Sequence, residues 1–168
     1  TITAQHTPPY SAYISTDACT IASFSPEEFF TIQNGSIRTR PIKGTIGKHS
    51  NPKLDLHAYQ TLLNSKKDHA ELVMITDLLR NDISQCATIG SVKVDELCAI
   101  RSYDYVYHLI STISAQLTPS YTALDALKML APGGSITGCP KISACDVIQR
   151  IENHPRNFYT GHIGFMSS

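Results

Sequence analysis

Apolar and polar residues alternate along the first forty residues in the manner of β-strands. This alternation predicts strands over residues 12–14, 20–24, 30–33 and 36–40. Asn34-Gly35 lies between the last two segments, and this dipeptide favours the type I′ turn of a two-residue hairpin. We therefore expect residues 30–40 to form a β-hairpin.

Helical periodicity appears next along the chain. Pro26 follows Ser25, an arrangement typical of a helix start, so residues 25–29 predict a turn that opens a short helix. Between Asn64 and Asn81 apolar residues recur every three or four positions, which predicts one long helix. The apolar residues of this segment are Ala70, Met74, Ile75, Leu78 and Leu79.

Strand patterns return after Gly90. Val92 and Val94 begin one strand, and residues 103–113 alternate as another. Two helices follow, one of them amphipathic from about residue 140 to residue 151, and residues 162–168 predict a last strand. This order of elements predicts a layered α+β fold.

Composition narrows the classes of function. The chain has 168 residues, of which 42% are hydrophobic, so it can bury a substantial core. Fourteen basic and fourteen acidic residues cancel, which argues against nucleic acid or an anionic membrane as the partner. We find no apolar run of the roughly 20 residues that a membrane span needs. The five cysteines contain no C-x-x-C pair, which fits reduced thiols in the cytoplasm.

Lys43 is the first candidate for chemistry. It lies two residues after Pro41 and directly before Gly44. Proline fixes the backbone and glycine permits a close approach to a ligand, so this setting could present the amine as a nucleophile. The alternative is an exposed lysine at a strand end.

Glu71 is unusual within the predicted long helix, because it shares a face with apolar residues. A carboxylate buried there would need a cation, a hydrogen bond or a metal. The alternative is a salt bridge at the helix edge. Asp77, Arg80, Asn81 and Asp82 follow, and we interpret them as a network that caps the end of the helix.

His108 and a glycine-rich loop, residues 132–141, are the remaining candidates. His108 shares a strand face with apolar residues, where a histidine is either a core residue or a catalytic group with a partner. The loop offers backbone N–H groups, two hydroxyl side chains and a helix start, which together favour a carboxylate or phosphate. Cys139 stands where a Walker loop requires lysine, which disfavours a nucleotide. The loop could also be a plain helix-entry turn.

These motifs together resemble the chorismate-utilising enzymes, the family of anthranilate synthase component I, isochorismate synthases and aminodeoxychorismate synthase component I. Nearly the whole chain resembles the family, in ordered motifs that include S-P-E at residues 25–27 and P-I-K-G-T at residues 41–45. The other matching stretches are residues 65–68, Glu71, 77–82, 90–92, 108–111 and 132–141. The resemblance implies the family's α+β fold, with antiparallel sheets flanked by helices.

Lys43 indicates a subgroup of this family. Anthranilate and isochorismate synthases usually have alanine at this position, whereas aminodeoxychorismate synthases have lysine. The resemblance therefore implies an enzyme that converts chorismate and ammonia into 4-amino-4-deoxychorismate, for 4-aminobenzoate and folate synthesis. It also implies a glutamine amidotransferase, separate or fused, as the source of ammonia.

The resemblance also assigns roles to residues. Lys43 matches the nucleophile, Glu27 the general acid and base, and His108 a histidine that faces the substrate. Glu71 matches a ligand of Mg²⁺, which replaces the salt-bridge interpretation. The residues expected to bind substrate are Gly44, Thr45, Ser135, Thr137 and Gly138.

Departures from the family pattern leave other interpretations open. Residues 46–48 replace an Arg-Pro-Arg run found in many relatives, and Cys139 replaces an alanine. We expect residues 1–168 to be part of the catalytic domain, without the N-terminal subdomain and the C-terminal strands that carry a second magnesium ligand. The alternatives are anthranilate synthase component I or another chorismate enzyme, and an inactive truncated module.

Overall fold

The computed structural model describes residues 8–167, and these residues form seven strands and five helices. The strands are β1 Tyr10–Ser15, β2 Thr20–Ser25, β3 Glu28–Gln33, β4 Ser36–Arg40, β5 Ile42–Gly47, β6 Lys93–Ser102 and β7 Val106–Gln116. The helices are α1 Pro52–Leu63, α2 Lys66–Ser84, α3 Ala123–Leu130, α4 Gly134–Thr137 and α5 Lys141–Ile151. The predicted α+β class is confirmed.

β7 is the central strand of a five-stranded antiparallel sheet. One edge of β7 pairs with β6, and the other pairs first with β5 and then with β4, which in turn pairs with β3. The carbonyl of Pro41, between β4 and β5, accepts a 3.2 Å hydrogen bond from the Ser111 N–H. β4 and β5 thus form one continuous line along β7. β1 and β2 form a separate two-stranded sheet.

The β3–β4 hairpin agrees with the sequence prediction. Gln33 pairs with Ser36 across the turn. Asn34 and Gly35 both have positive φ, 51° and 74°, as a type I′ turn requires.

Helices α1 and α2 pack against the sheet and close the core. α2 begins after Ser65, whose hydroxyl accepts from the Asp68 N–H, and its apolar stripe covers β7. One core cluster joins Ile75 and Leu79 of α2 to Ile37 and Ile113 of the sheet. The long helix and the amphipathic α5 are confirmed, whereas α1 was not predicted although Asn51-Pro52 is a helix-start signal. No helix within residues 8–167 is long and apolar enough to cross a bilayer.

Two predicted elements are wrong. Residues 25–29 do not open a helix, because Glu28 begins β3 and pairs with Arg40. Residues 162–167 carry a strand pattern but form no strand, since their backbone pairs with no other strand within the described part of the chain. In both segments long-range pairing, or its absence, outweighs the local pattern.

Candidate active site

Lys43 and Gly44 form a β-bulge, which we call the Lys43 bulge. Ile42 lies opposite Ile110 and Thr45 lies opposite His108, so two residues of β5 face the single residue Leu109 of β7. A bulge turns side chains away from the regular ladder and is common beside active sites. Lys43 is half-buried, in the second position of β5.

Gly44 fits the Lys43 bulge for two reasons. Its φ is +80°, a conformation that L side chains rarely adopt. A Cβ atom at this position would lie 2.9 Å from Asp68 of α2 and 2.9 Å from Leu62 of α1. The missing side chain therefore lets the bulge pack directly against both helices. Contact between the Gly44 backbone and a substrate stays a prediction.

Glu27 lies beside Lys43. The Ile42 N–H donates a 3.4 Å hydrogen bond to Oε1 of Glu27, and the Lys43 ammonium attracts the same carboxylate. Burial raises the pKa of Glu27 above its ordinary value, and the Ile42 hydrogen bond and the Lys43 charge only partly oppose this. A half-buried acid with a raised pKa, next to a primary amine, is suited to donate a proton.

His108 has the hydrogen-bonding partner that a catalytic role requires. Thr45 Oγ1 lies 2.7 Å from Nδ1 of His108 across the β5–β7 ladder. Burial lowers the pKa of His108, which favours the neutral imidazole. Tyr107 and Leu109 on either side pack with the helical layer, so His108 points to the opposite face, where Tyr103 contacts it at a ring distance of 5.3 Å.

Glu71 lies on the edge of α2. Its side chain is 44% exposed, and its carboxylate lies 3.9 Å from Nζ of Lys67, one turn earlier on the helix. This is the helix-edge salt bridge that the sequence left as an alternative. Asp68, one turn before Glu71, contacts Gly44, so this edge of α2 borders the Lys43 bulge.

No cluster of three or more histidine, cysteine or acidic side chains that could hold a metal occurs within residues 8–167. Glu71 offers a carboxylate that is only loosely paired, 3.9 Å from Nζ of Lys67. Mg²⁺ is often bound through one or two carboxylates together with substrate oxygens, so this donor suits a site that the substrate completes. The assignment of Glu71 to Mg²⁺ stays a prediction.

The glycine-rich loop is more ordered than predicted, because residues 134–137 form the short helix α4. The N–H groups of Ile136 and Gly138 donate to Gly133 and Gly134 carbonyls, and the Thr137 hydroxyl donates to the Gly133 carbonyl at 3.1 Å. Several of the donors expected to bind an anion are therefore engaged within the loop. The half-buried Ser135 hydroxyl makes no hydrogen bond to the residues described.

The glycine-rich loop is fixed to α2. A Cβ atom on Gly134 would overlap the Leu78 side chain, so the loop backbone packs closely against this helix. The Nζ atom of Lys141 donates to Asp82 at 2.6 Å and to the Leu130 carbonyl at 3.0 Å. The prediction that Asp82 caps α2 is wrong, because its side chain, 4% exposed, forms this buried ion pair. Arg80 and Asp77 do pair with each other, at 2.9 Å.

Sequence reasoning missed a buried carboxylate beside Glu27. Glu28 is 4% exposed and is bonded by Tyr10 and Arg40. If the β3–β4 pairing continued regularly from the Asn34-Gly35 turn, Phe29 and not Glu28 would lie opposite Arg40. A one-residue irregularity between Glu28 and Thr31 changes the pairing, and nothing in the local pattern marks it.

The sequence and the fold of this chain both resemble those of known proteins. The sequence model of a family described as chorismate binding enzyme matches residues 1–168. Aminodeoxychorismate synthase component 1 of Salmonella typhimurium strain LT2 is 47% identical over 159 residues, which is 95% of this chain and 35% of that protein. Anthranilate synthase component 1 of Aquifex aeolicus is 37% identical, over 95% of this chain and 32% of that protein.

A crystal structure of anthranilate synthase component I from Streptococcus pneumoniae superposes with a TM-score of 0.75 and 33% identity, over 86% of this chain and 31% of that one. The chain spans about a third of the length of the curated relatives it matches. The full-length match to the family, together with the shared fold, identifies this chain as a member of the chorismate-binding enzyme family.

Proposed function

We propose that this chain is part of an aminodeoxychorismate synthase component I, which converts chorismate and ammonia into 4-amino-4-deoxychorismate and water. The observation that carries the proposal is the Lys43 amine beside the half-buried Glu27 carboxyl group. The higher identity to aminodeoxychorismate synthase component 1, 47% against 37% for an anthranilate synthase, supports the same subgroup.

Lys43 is the nucleophile in the first half of the proposed reaction. Its uncharged amine adds to C2 of the chorismate ring, the ring double bond shifts, and the bond from C4 to the hydroxyl group breaks. Glu27 gives its proton to the departing hydroxyl, which leaves as water. The raised pKa of Glu27 supports this role, because it keeps the carboxyl group protonated to a higher pH.

Ammonia reverses these changes in the second half. It adds to C4, the double bond shifts back, and the bond between C2 and Lys43 breaks to restore the free amine. Glu27, now a carboxylate, accepts a proton from the incoming ammonia. The neutral His108, held by Thr45, would face the ring, and Gly44, Ser135, Thr137 and Gly138 would complete the substrate contacts.

Mg²⁺ is part of the proposal, with Glu71 as its ligand from this chain. When bound, the cation would neutralise a carboxylate of chorismate. The half-exposed, weakly paired carboxylate of Glu71 supports this assignment, as does its position one turn from the Asp68 that contacts Gly44.

A glutamine amidotransferase, as a separate subunit or a fused domain, would supply the ammonia, and we place the enzyme in the cytoplasm. The designation "component 1" of the Salmonella relative supports a second component. The balanced charge of the chain gives no support to a nucleic-acid or membrane partner.

The test is trapping of the covalent intermediate on the intact polypeptide that contains this chain. Chorismate and Mg²⁺ are added without ammonia, the reaction is quenched, and peptides are analysed by mass spectrometry. We expect an adduct on the peptide that contains Lys43 and none in a Lys43→Ala variant. Unimpaired turnover by Lys43→Ala would contradict the nucleophile assignment.

Product analysis separates the other interpretations. Anthranilate as the product, formed equally well by Lys43→Ala, would favour an anthranilate synthase. No product of either kind from the intact polypeptide with ammonia and Mg²⁺ would favour an inactive module.

A further inference from the structure

Glu28 accepts hydrogen bonds from three side chains in a nearly dry environment. Its side chain is 2% exposed. Tyr10 donates to Oε2 at 2.6 Å, the Nε atom of Arg40 donates to the same oxygen at 2.6 Å, and the Nε atom of Arg38 donates to Oε1 at 3.2 Å. Arg40 also donates from Nη2 to the Tyr10 hydroxyl at 2.7 Å. We call Tyr10, Glu28, Arg38 and Arg40 the Glu28 clamp.

The other members of the Glu28 clamp favour the ionised form of the Glu28 carboxyl group. Burial alone would raise the pKa of Glu28, but the hydrogen bonds from Tyr10 and Arg40 and the Arg40 charge help to bring it below its ordinary value. Removing one partner from such a buried charged group leaves the other partner uncompensated, which is costly. The clamp therefore resists separation of its members.

The position of the Glu28 clamp relates it to the candidate active site. Glu28 is the neighbour of Glu27 in the chain, and Arg40 precedes Lys43 by three residues. Glu28 and Arg40 are also direct partners across β3 and β4. A cavity of about 190 Å³ lies beside the clamp, lined in part by Tyr10, Arg40, Ile42 and the Tyr103 that contacts His108.

Regular strand pairing is interrupted on both sides of the Glu28–Arg40 pair. The β3–β4 register shifts just after Glu28, and the β5–β7 register shifts at the Lys43 bulge. Between these irregularities, Glu27 is joined to β5 by the Ile42 N–H at the long distance of 3.4 Å. The side chains of the Glu28 clamp thus reinforce the one ladder pair, Glu28 with Arg40, that lies between the two irregularities.

We propose that Glu28, through Arg40 and Tyr10, is a positioning residue that sets the separation between the Glu27 carboxyl group and the Lys43 amine. This inference rests on the proposed function, in which Glu27 and Lys43 act on one substrate. In this role the Glu28 clamp acts through Glu27 and Lys43 and not on the substrate.

Turnover of the intact polypeptide with chorismate, ammonia and Mg²⁺ is the first test. Glu28→Gln keeps the shape of the side chain but removes its charge, so Arg40 loses its counterion. Because small misplacements of reacting groups can slow a reaction up to about a hundredfold, we expect kcat to fall about ten- to a hundredfold with KM changed less than about threefold. Tyr10→Phe removes the hydrogen bonds of the Tyr10 hydroxyl to Glu28 and from Arg40 but keeps the ion pair of Glu28 with Arg40, so it should lower kcat less.

Glu152→Gln is the matched control, because Glu152 is also paired with an arginine, Arg156, but on the C-terminal side of α5. We expect its kcat to equal that of the unaltered protein. A kcat for Glu28→Gln within twofold of this control would overturn the proposal. If Glu28→Gln does not fold, Tyr10→Phe decides by the same criterion.

Competitive acetylation of lysines is the second test and needs no turnover. The intact polypeptide is treated with a trace of acetic anhydride, and the labelling of Lys43 is compared by mass spectrometry with that of Lys48. Lys48 is a suitable internal reference, because it donates to Ser102 at 3.0 Å and lies just beyond β5. We expect the ratio to change at least about threefold in Glu28→Gln, because a displaced Glu27 changes the surroundings of the half-buried Lys43 amine and how freely the reagent reaches it.

The two tests distinguish failure of the positioning role from failure of the proposed function. An unchanged labelling ratio in both Glu28→Gln and Tyr10→Phe would overturn the positioning role, whatever the turnover. A changed ratio in a protein that never aminates chorismate would support the positioning role and overturn the proposed function.

Discussion

The Lys43 bulge and the glycine-rich loop both contain residues predicted to belong to the site, but they differ in how their polar groups are bonded. At the bulge the backbone leaves the ladder, and Lys43 makes no hydrogen bond within residues 8–167, with the Glu27 carboxylate as its nearby charge. In the loop, Thr137 bonds to the loop itself, and Lys141 bonds to Asp82 and the Leu130 carbonyl. The difference suggests chemistry at the bulge and shaping of the pocket by the loop.

Glu27→Gln should have the largest effect, on the bulge side of the comparison. Glutamine keeps an oxygen for the Ile42 N–H but cannot donate or accept the reaction's proton, so we expect kcat to fall about 10²- to 10⁴-fold. In the unaltered protein, activity should fall as pH rises through the raised pKa of Glu27, because the proton donor is lost. Initial rates across pH would measure both effects.

The matched change in the loop is Thr137→Val. It removes the Thr137 hydroxyl, which donates a hydrogen bond to the Gly133 carbonyl. We expect less than about a tenfold loss of kcat, since one neutral hydrogen bond contributes about 1 kcal/mol. Equal losses in Thr137→Val and Glu27→Gln would remove the distinction between the two regions.

Asp82→Ala tests the anchor of the loop through stability. It leaves the Lys141 ammonium, on a side chain that is 16% exposed, without its counterion, which should lower the free energy of unfolding by about 3 kcal/mol, the lower end of the range for a buried pair. Urea unfolding of the intact polypeptide would measure the loss. Asp77→Ala, in the exposed pair with Arg80, should change the value by less than about 0.5 kcal/mol. A similar result for both variants would show that the anchor is weak.

Gly44→Ala should have a smaller effect on stability. The added Cβ meets Asp68 and Leu62 at 2.9 Å in a left-handed backbone conformation, so we expect a loss of about 1 to 3 kcal/mol. Gly47→Ala is the matched control on the same strand, because a Cβ there meets no atom within 4 Å. The difference in urea midpoint between the two variants measures how tightly the bulge packs on α1 and α2.

Thr45→Val should have the smallest effect, about 1 kcal/mol, through loss of the 2.7 Å hydrogen bond to His108. Since the pKa of His108 is lowered by burial, its contribution to stability is present above the ordinary histidine value of about 6.5 and declines as pH falls. Unfolding measured at several pH values should show this decline in both proteins. Thr61→Val is the control. It removes a hydroxyl that donates to the His57 carbonyl within α1, and it should change the free energy of unfolding little.

Several elements were predictable because their signals are local. The Asn34-Gly35 turn, the helical period of α2 and the amphipathic α5 all depend on residues close together in the chain. The site motifs were also recognised by residue type and order, and the structure brings Glu27 next to Lys43 and Thr45 next to His108. The structure also contains the Glu71 salt bridge that sequence spacing had favoured.

The sequence by itself determined the family, the fold class and the residue types of the candidate site. Only the tertiary structure decided that Glu28 begins a strand, that Lys43 lies in a bulge and that Asp82 pairs with Lys141. A register shift of one residue turns side chains to the other face of a sheet, and it depends on packing between segments far apart in the chain. Burial likewise depends on what covers a residue, so the buried ion pairs could not be found from local spacing.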